Sequence, residues 1–368
     1  MKKEVIVINY MGRHGSGNMH AIVMAKALQE AGENVVAVVS AFSDNIREWE
    51  QLELTKLIVV QTYQTKAQFV YRTIDFYLRE AYAIRRQLAQ YTIKAVYCPM
   101  TTYWTYGLNR ALKNQNVIVC NHDPIPHSGD RKKWSFHKAL QTSHTIIVHS
   151  KKFIDYVKKQ YPGKNVLYMP LTRLNVYGKG EKICTVTYPT DKVNFLFFGV
   201  ISKYKGLDVL AEAYKKVKAV CPNTTLTIGG NGDFSAYQEK YSTLSDVTIV
   251  NRWIADEEIE SFFTGENIIT VLPYVDATQS GVALVAMEYN TPVIATRTGG
   301  LPEQVEDGVL GLLVPPSNVE ALADAMVRLA QDEKLREEMK RNIKVKMRET
   351  EDSVLAHQLI EIINDKRK

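Results

Sequence analysis

No stretch of this chain approaches the roughly 18 consecutive apolar residues that a membrane-crossing helix requires, and its 368 residues hold only four cysteines, Cys98, Cys120, Cys184 and Cys221, none in a C-x-x-C pair. The first lack argues against a helical span. The second argues against a disulfide scaffold and a cysteine-built structural metal site, and it suggests a reducing compartment. The amino-terminal MKKEVIVINYMG has a basic start, but its apolar run is too short for a signal peptide and ends in a glycine turn. The expectation is a cytoplasmic chain. The dinucleotide fingerprint G-x-G-x-x-G is also missing, and no acidic residue ends the strand Asn34 to Ser40 to take a ribose.

What the chain does have is room for two domains, with 45% apolar and 23% charged residues in the range of soluble globular proteins. Its charge is uneven. Residues 1–178 carry 24 Lys and Arg against 12 Asp and Glu, a balance of +12, so within the overall +6 the remaining 190 residues carry −6. Only the basic half suits an anionic membrane surface or acceptor. Nucleic acid is not expected, because no recognition motif accompanies the basic residues.

Apolar runs alternate with helical periods along the chain, which predicts parallel strands joined by helices. A strand from Glu4 to Asn9 leads through Gly12-Arg-His14-Gly15-Ser-Gly17 into a helix over Ala21–Ala31. Three glycines there permit close approach of backbone to a phosphate or sugar, or they only close a βα turn. From Thr65 to Tyr91 a helical period interleaves Arg72, Arg79, Arg85 and Arg86 with Phe69, Ile74, Phe76, Tyr77 and Tyr82. Such a helix either meets anionic lipid and frames a site for a lipid-linked acceptor, or simply has a solvated basic side. The strand Val117–Cys120 delivers Asn121-His122-Asp123-Pro124-Ile125-Pro126-His127, where the prolines stiffen the loop and display both histidines at a strand end. Asp123 can orient His122 or cap the turn, and no third ligand has the spacing for a metal. The pattern loosens over Tyr177–Thr190, which reads as a linker.

In the carboxyl half, Phe198 is followed by a loop holding Ser202, Lys203, Lys205 and Gly206, and Thr225–Asp233 ends in Gly229, Gly230 and Gly232. A buried run, Ile268–Leu272, then enters Tyr274-Val-Asp-Ala-Thr278-Gln279-Ser280-Gly281 at a helix start, where unpaired N–H groups and hydroxyls suit an anion. A second strand follows at Thr291-Pro292-Val293 and stops at Gly299-Gly300-Leu301-Pro302-Glu303.

The TPV strand and GG-x-PE loop resemble the carboxyl half of the retaining GT-B glycosyltransferases of family four. That resemblance implies an α/β protein of two doubly wound Rossmann-like domains, here expected over 1–180 and 181–348, with 349–368 crossing back to the first. It implies transfer of a hexose or N-acetylhexosamine from a nucleoside diphosphate sugar, UDP before GDP-mannose, to a lipid-linked or glycan hydroxyl in cell-surface glycan synthesis. No cofactor or metal is expected, and peripheral contact with the inner face of the cell membrane is. By the resemblance His122 faces the donor sugar, with Asp123 beside it and His14 and His127 toward the acceptor. Lys205, with Lys203, neutralises the donor diphosphate, and Ser202 stands near the position of the family's arginine. Gly15, Gly17, Gly230 and the segment Thr278, Gln279, Ser280, Gly281 lie along the donor, while Arg252, Trp253 and Ile254 clasp the base. The family's E-x7-E pair is missing: Ala277 or Thr278 and Val285 or Ala286 occupy its places, with Glu288, one helical turn further along, as a weak substitute for the ribose contact. A catalytically silent partner of another transferase is the alternative that this loss suggests.

Overall fold

The computed structural model describes residues 2–125, 134–171, 182–348 and 350–365, and the chain divides into two compact units, Met1–Leu174 with Thr350–Lys368, and Asn175–Glu349. Each is a wholly parallel sheet. In the first, β1 (Glu4–Tyr10), β2 (Val35–Ser40), β3 (Lys56–Val60), β4 (Thr92–Cys98), β5 (Val117–Asn121), β6 (Thr145–Val148) and β7 (Asn165–Tyr168) lie in the order β3-β2-β1-β4-β5-β6-β7. Runs such as VIVI and VVAVV are apolar at consecutive positions because helices cover both faces of the sheet. Alternation along β1 sends Val5 and Val7 into one core and Ile6 and Ile8 into the other. The helix Asp352–Asn364 puts Leu355, Ala356, Leu359 and Ile363 into that second core beside Ala21, Met24 and Leu28.

The arginine- and tyrosine-rich stretch is one helical path with a defect. It starts at a capping box between Thr65 and Gln68, runs as Lys66–Asp75, widens into a five-residue π segment at Phe76–Glu80, and continues as Ala81–Leu88.

The second unit has β8 (Val193–Phe198), β9 (Thr224–Gly230), β10 (Val247–Asn251), β11 (Ile268–Leu272), β12 (Val293–Thr296) and β13 (Gly311–Val314) in the order β10-β9-β8-β11-β12-β13. The predicted linker over 177–190 needs correction in its described part. Ile183 N donates to Glu257 O at 3.1 Å, Thr185 Oγ1 to Glu258 Oε1 at 2.6 Å and Tyr188 Oη to Phe262 O at 2.8 Å, so residues 183–188 are docked on the helix Asp256–Phe263.

The strand order fixes where chemistry can sit. In the first unit the chain turns left to β2 and later returns on the other side at β4, and in the second it does so between β8 and β11. Loops at the carboxyl ends of β1 and β4, and of β8 and β11, diverge there and leave a crevice.

Candidate functional site

At the β8/β11 divergence of the second unit the two loops are locked together. Val275 N donates to Tyr204 O at 2.7 Å, and Gly206 passes Pro273 so closely that a Cβ would stand 2.0 Å from its carbonyl oxygen. Gly206 has φ 70°, which ends the short turn Lys203–Lys205 and starts the helix Leu207–Val220. That turn places Lys205 inward, 9% exposed, with its Nζ 3.6 Å from the centroid of Tyr274 and 5.1 Å from that of Tyr204. Among the described residues it has no carboxylate partner. The ring faces of Tyr274 and Tyr204 return about 0.5–2 kcal/mol by cation–π contact, and an anion entering the crevice adds the charge partner that a carboxylate does not supply.

Ser280 reaches the same tyrosine from the other side, its Oγ 3.3 Å from Tyr274 Oη. Ser280 is the N-cap of the helix Gly281–Glu288, and its Oγ accepts from Ala283 N at 3.3 Å. Its own N–H is already engaged by Gln304 Oε1 at 2.8 Å, and Gln304 Nε2 donates back to Ser280 O at 3.1 Å. Of the amides of Thr278 to Gly281 that of Ser280 is thus taken, while the N–H groups of Gly281 and Val282 stand in the first helical turn, where an anion can reach them. Val282 packs against Gly199 of the β8 loop, where a Cβ on Gly199 would lie 3.3 Å from Val282 Cγ2. Ser202 Oγ on that loop is buried with no hydrogen-bond partner among the described residues. Thr278 is buried; its carbonyl accepts from Gly300 N at 2.8 Å, and Gly299, at φ 53°, leaves no room for a Cβ against Ala277 O, which would be 1.5 Å away.

Lys205, Ser202, Ser280, Gly281 and Thr278 are thus brought to one crevice, with Gln279 half-buried and Lys203 exposed beside them. Other expected donor contacts stand apart. Gly230 is explained by packing, since a Cβ there would sit 1.9 Å from Gly199 O. Arg252, Trp253 and Ile254 follow β10, the edge strand two places from β8, about 10 Å away at normal strand spacing. Arg252 is committed to Glu258 through a fork, with Nη1 to Oε2 at 2.8 Å and Nη2 to Oε1. That pairing, with Thr185 Oγ1 and Ala255 N, lowers the Glu258 carboxyl to about 2. Trp253 is 63% exposed and Ile254 is buried. Glu288 ends the helix that Ser280 begins, about 10 Å along its axis, and its charge helps burial raise the Tyr289 hydroxyl to about 12. It is not at the loop, and Ala277 and Val285 are both buried.

At the β1/β4 divergence of the first unit a cavity of about 250 Å³ is lined by Gly12, Arg13 and His14 after β1, Tyr63 after β3, Tyr103 after β4, and Phe136. His14 Nδ1 bonds Asp44 Oδ1 at 2.6 Å. Gly15 has open space in front of it, whereas Gly17, like Gly12, is required by Tyr10: a Cβ would meet Tyr10 Oη at 2.2 Å and 2.0 Å respectively.

His122 follows β5 in a cluster that sequence spacing does not show. Its ring centroid is 4.4 Å from that of His149, which follows β6, and 5.6 Å from that of His20, in the first helix. Burial lowers all three: His20 well below the ordinary value, His122 below it, and His149 to about 3. His122 Nε2 lies 2.6 Å from Pro99 O and His149 Nδ1 lies 2.9 Å from Met169 O. A carbonyl only accepts, so each of these nitrogens carries the proton, leaving His122 Nδ1 and His149 Nε2 as lone pairs. The bond that fixes His122 is to Pro99; Asp123 is exposed and acts on the ring by charge. No group of three His, Cys, Asp or Glu suited to a metal occurs among the described residues. His127 lies outside the described residues. One signal for His149 was available: it directly follows a fully buried strand, as His122 does.

Comparison with known proteins matches both units. Residues 17–169 match the model for glycosyltransferase family 4, and residues 185–346 match the model for glycosyl transferases group 1. The chain is 29% identical over 193 residues to the D-inositol 3-phosphate glycosyltransferase of Kribbella flavida, covering 48% of this chain and 45% of that one. It spans about half the length of the curated relatives it matches. Among solved structures, the sucrose-phosphate synthase of Thermosynechococcus elongatus superposes with a TM-score of 0.71 at 19% identity over 98% of both chains. Anabaena Alr3699/HepE, in complex with UDP and glucose, gives 0.70 at 15% over 98% of this chain and 99% of that one. The two parallel sheets are those of the GT-B fold.

Proposed function

From a chain whose amino half matches the glycosyltransferase family 4 model and whose carboxyl half matches the glycosyl transferases group 1 model, we infer a retaining glycosyltransferase that moves a sugar from a nucleoside diphosphate sugar to a hydroxyl of a lipid-linked or polysaccharide acceptor. The observation that carries this reading is Lys205, a nearly buried cation over Tyr274 without a carboxylate, beside a capped helix start and the unpartnered Ser202 hydroxyl. A diphosphate supplies the charge this crevice lacks. UDP is favoured because a structural relative is held with it.

In the reaction the bond between the anomeric carbon and the diphosphate oxygen breaks as the acceptor oxygen bonds to the same face of that carbon. The acceptor's proton passes to the departing phosphate. Lys205 and the N–H groups of Gly281 and Val282 hold the charge that develops on the diphosphate, with Lys203 as an outer cation. No enzyme nucleophile and no obligatory metal enter this scheme. In the first unit, neutral His122 offers the Nδ1 lone pair to a sugar hydroxyl.

Calorimetry with UDP, GDP and ADP, followed by a screen of sugar nucleotides for hydrolysis and transfer, tests the proposal. UDP binding with slow hydrolysis of a UDP-sugar is expected. The second reading, a catalytically silent partner, is motivated by Ala277 or Thr278 and Val285 or Ala286, all buried, at the places that the resemblance gives to the family's glutamates. Failure of all three nucleotides to bind sinks the transferase reading and leaves the silent one.

A further inference from the structure

The first unit holds a second cavity that the reaction above does not use. It measures about 580 Å³, inside the range of small-molecule sites, and its walls are almost wholly apolar. Ile74, Tyr77 and Leu78 come from the helical path that widens at Phe76–Glu80, Tyr106 from the helix Thr105–Ala111, and Trp134 from the helix Trp134–Thr142. Ile74, Leu78 and Trp134 are 57%, 70% and 63% exposed. An apolar surface of this size facing solvent on a unit rich in basic residues calls for an occupant.

The rim narrows the choice. Arg110 lines the cavity and has no carboxylate partner among the described residues. A hydrocarbon alone leaves that guanidinium unmatched, and an anion alone leaves the apolar walls wet. One molecule with an apolar chain and an anionic head satisfies both. The position narrows it further, because Tyr103 lines both this cavity and the smaller one at the carboxyl ends of β1 and β4 that holds Arg13 and His14. The cavity therefore adjoins, at Tyr103, the loops where the acceptor hydroxyl is expected.

We propose that this aromatic cavity seats the hydrocarbon chain of an amphiphilic acceptor, with Arg110 on its phosphate-bearing head. The inference deepens the proposed transfer reaction, on which its acceptor role rests, by choosing the lipid-linked class over the polysaccharide one. Tyr77 anchors the inner wall through its hydroxyl, which donates to Tyr103 O at 2.8 Å, so the wall is set before any ligand arrives. Ile74, Tyr77 and Leu78 stand at i, i+3 and i+4 and so share the face of the helical path that lines the cavity.

The test uses the full chain and calorimetry with farnesyl phosphate, farnesol and inorganic phosphate, with UDP titrated in parallel. Farnesyl phosphate is expected to bind, farnesol more weakly, and phosphate alone not at all. Leu78→Glu and Trp134→Ala, both at exposed positions, are expected to weaken farnesyl phosphate by about tenfold or more and to leave UDP binding unchanged. Arg110→Gln is expected to weaken farnesyl phosphate toward the level of farnesol without affecting farnesol. Equal binding of farnesyl phosphate by wild type and both wall variants overturns the proposal. So does binding only to phosphatidylglycerol vesicles with none to the monomeric amphiphile, which assigns this face to a bilayer instead. Loss of UDP binding in the wild type with farnesyl phosphate binding intact sinks the donor reading and leaves the cavity assignment standing.

Discussion

Replacing Lys205 with methionine removes a charge while keeping most of the volume, and it separates what the ammonium does for the fold from what it does for a ligand. In the free protein the side chain loses its cation–π contact with Tyr274, worth about 0.5–2 kcal/mol. It also escapes the cost of holding an ion at 9% exposure without a carboxylate. The two changes oppose each other, so the stability of the second unit is expected to move by no more than about 1 kcal/mol, or about 2–4 °C in Tm. UDP affinity behaves differently. Loss of a charge-assisted hydrogen bond to a phosphate costs about 1.5–3 kcal/mol, which is about 10- to 150-fold in Kd.

Turnover is expected to fall further than affinity, because negative charge on the bridging oxygen grows as the glycosidic bond opens and the Lys205 ammonium, with the amides of Gly281 and Val282, meets it. Thermal melting and calorimetry with UDP are the two measurements, with Lys205→Arg as the charge-retaining control. A methionine variant that binds UDP and turns over like the wild type refutes the assignment. A variant that loses more than about 3 kcal/mol of stability also refutes the reasoning, because the ammonium would then be a structural partner and not a waiting site.

Three further outcomes follow from the same geometry. Gly299→Ala puts a Cβ 1.5 Å from Ala277 O, while Gly308→Ala, also at positive φ, meets open space; differential scanning calorimetry should show the second costing about 1–2 kcal/mol and the first clearly more. Glu258, held at about 2 by Arg252, Thr185 and Ala255, binds protons later in the folded than in the unfolded chain, so its contribution is complete above about pH 5 and lost as pH falls toward 2; Glu258→Gln should cost about 1–3 kcal/mol at pH 7 and nothing near pH 2. The buried histidines work in a higher window. With His149 lowered to about 3 and His20 and His122 also lowered, the unfolded chain takes up protons that the folded one refuses below about pH 6.5, so the first unit should lose up to about 1.4 kcal/mol per pH unit for each of them as pH falls. Imidazole resonances followed by NMR should show His149 neutral through pH 5; protonation near 6.5 would contradict the burial.

The sheets were legible because strands covered on both faces read as unbroken apolar runs, and β1, β2, β5 and β11 are of that kind. Lys205, singled out by the resemblance, and Ser280, singled out by its loop at a helix start, both meet Tyr274 in the fold. What the sequence hid were partners brought from elsewhere in the fold. Gln304, 24 residues beyond Ser280, takes the amide that the loop would otherwise offer an anion. Tyr10 explains Gly12 and Gly17, which local pattern assigns to a ligand. Glu258 orders residues 183–188, whose composition alone says linker. In each case a side chain meets its partner through the fold, by a hydrogen bond at Ser280 and Thr185 and by close packing at Gly12 and Gly17, and no local period records it.

The missing E-x7-E pair then acquires a physical consequence. At the places that the resemblance gives to those carboxylates this chain has Ala277 or Thr278 and Val285 or Ala286, all buried, and Glu288 sits at the far end of its helix beside Tyr289. A crevice without those charges repels a diphosphate less, so one buried ammonium and two first-turn amides have less opposing field to overcome. It also forfeits a side-chain acceptor for the ribose hydroxyls. Nucleotide discrimination must then come from backbone groups and from Trp253, whose exposed indole ends the edge strand. Trp253→Ala should therefore narrow the difference between UDP and GDP affinities while leaving inorganic pyrophosphate competition at Lys205 unchanged. If the substitution leaves the UDP-to-GDP ratio untouched, the base is not read from that strand.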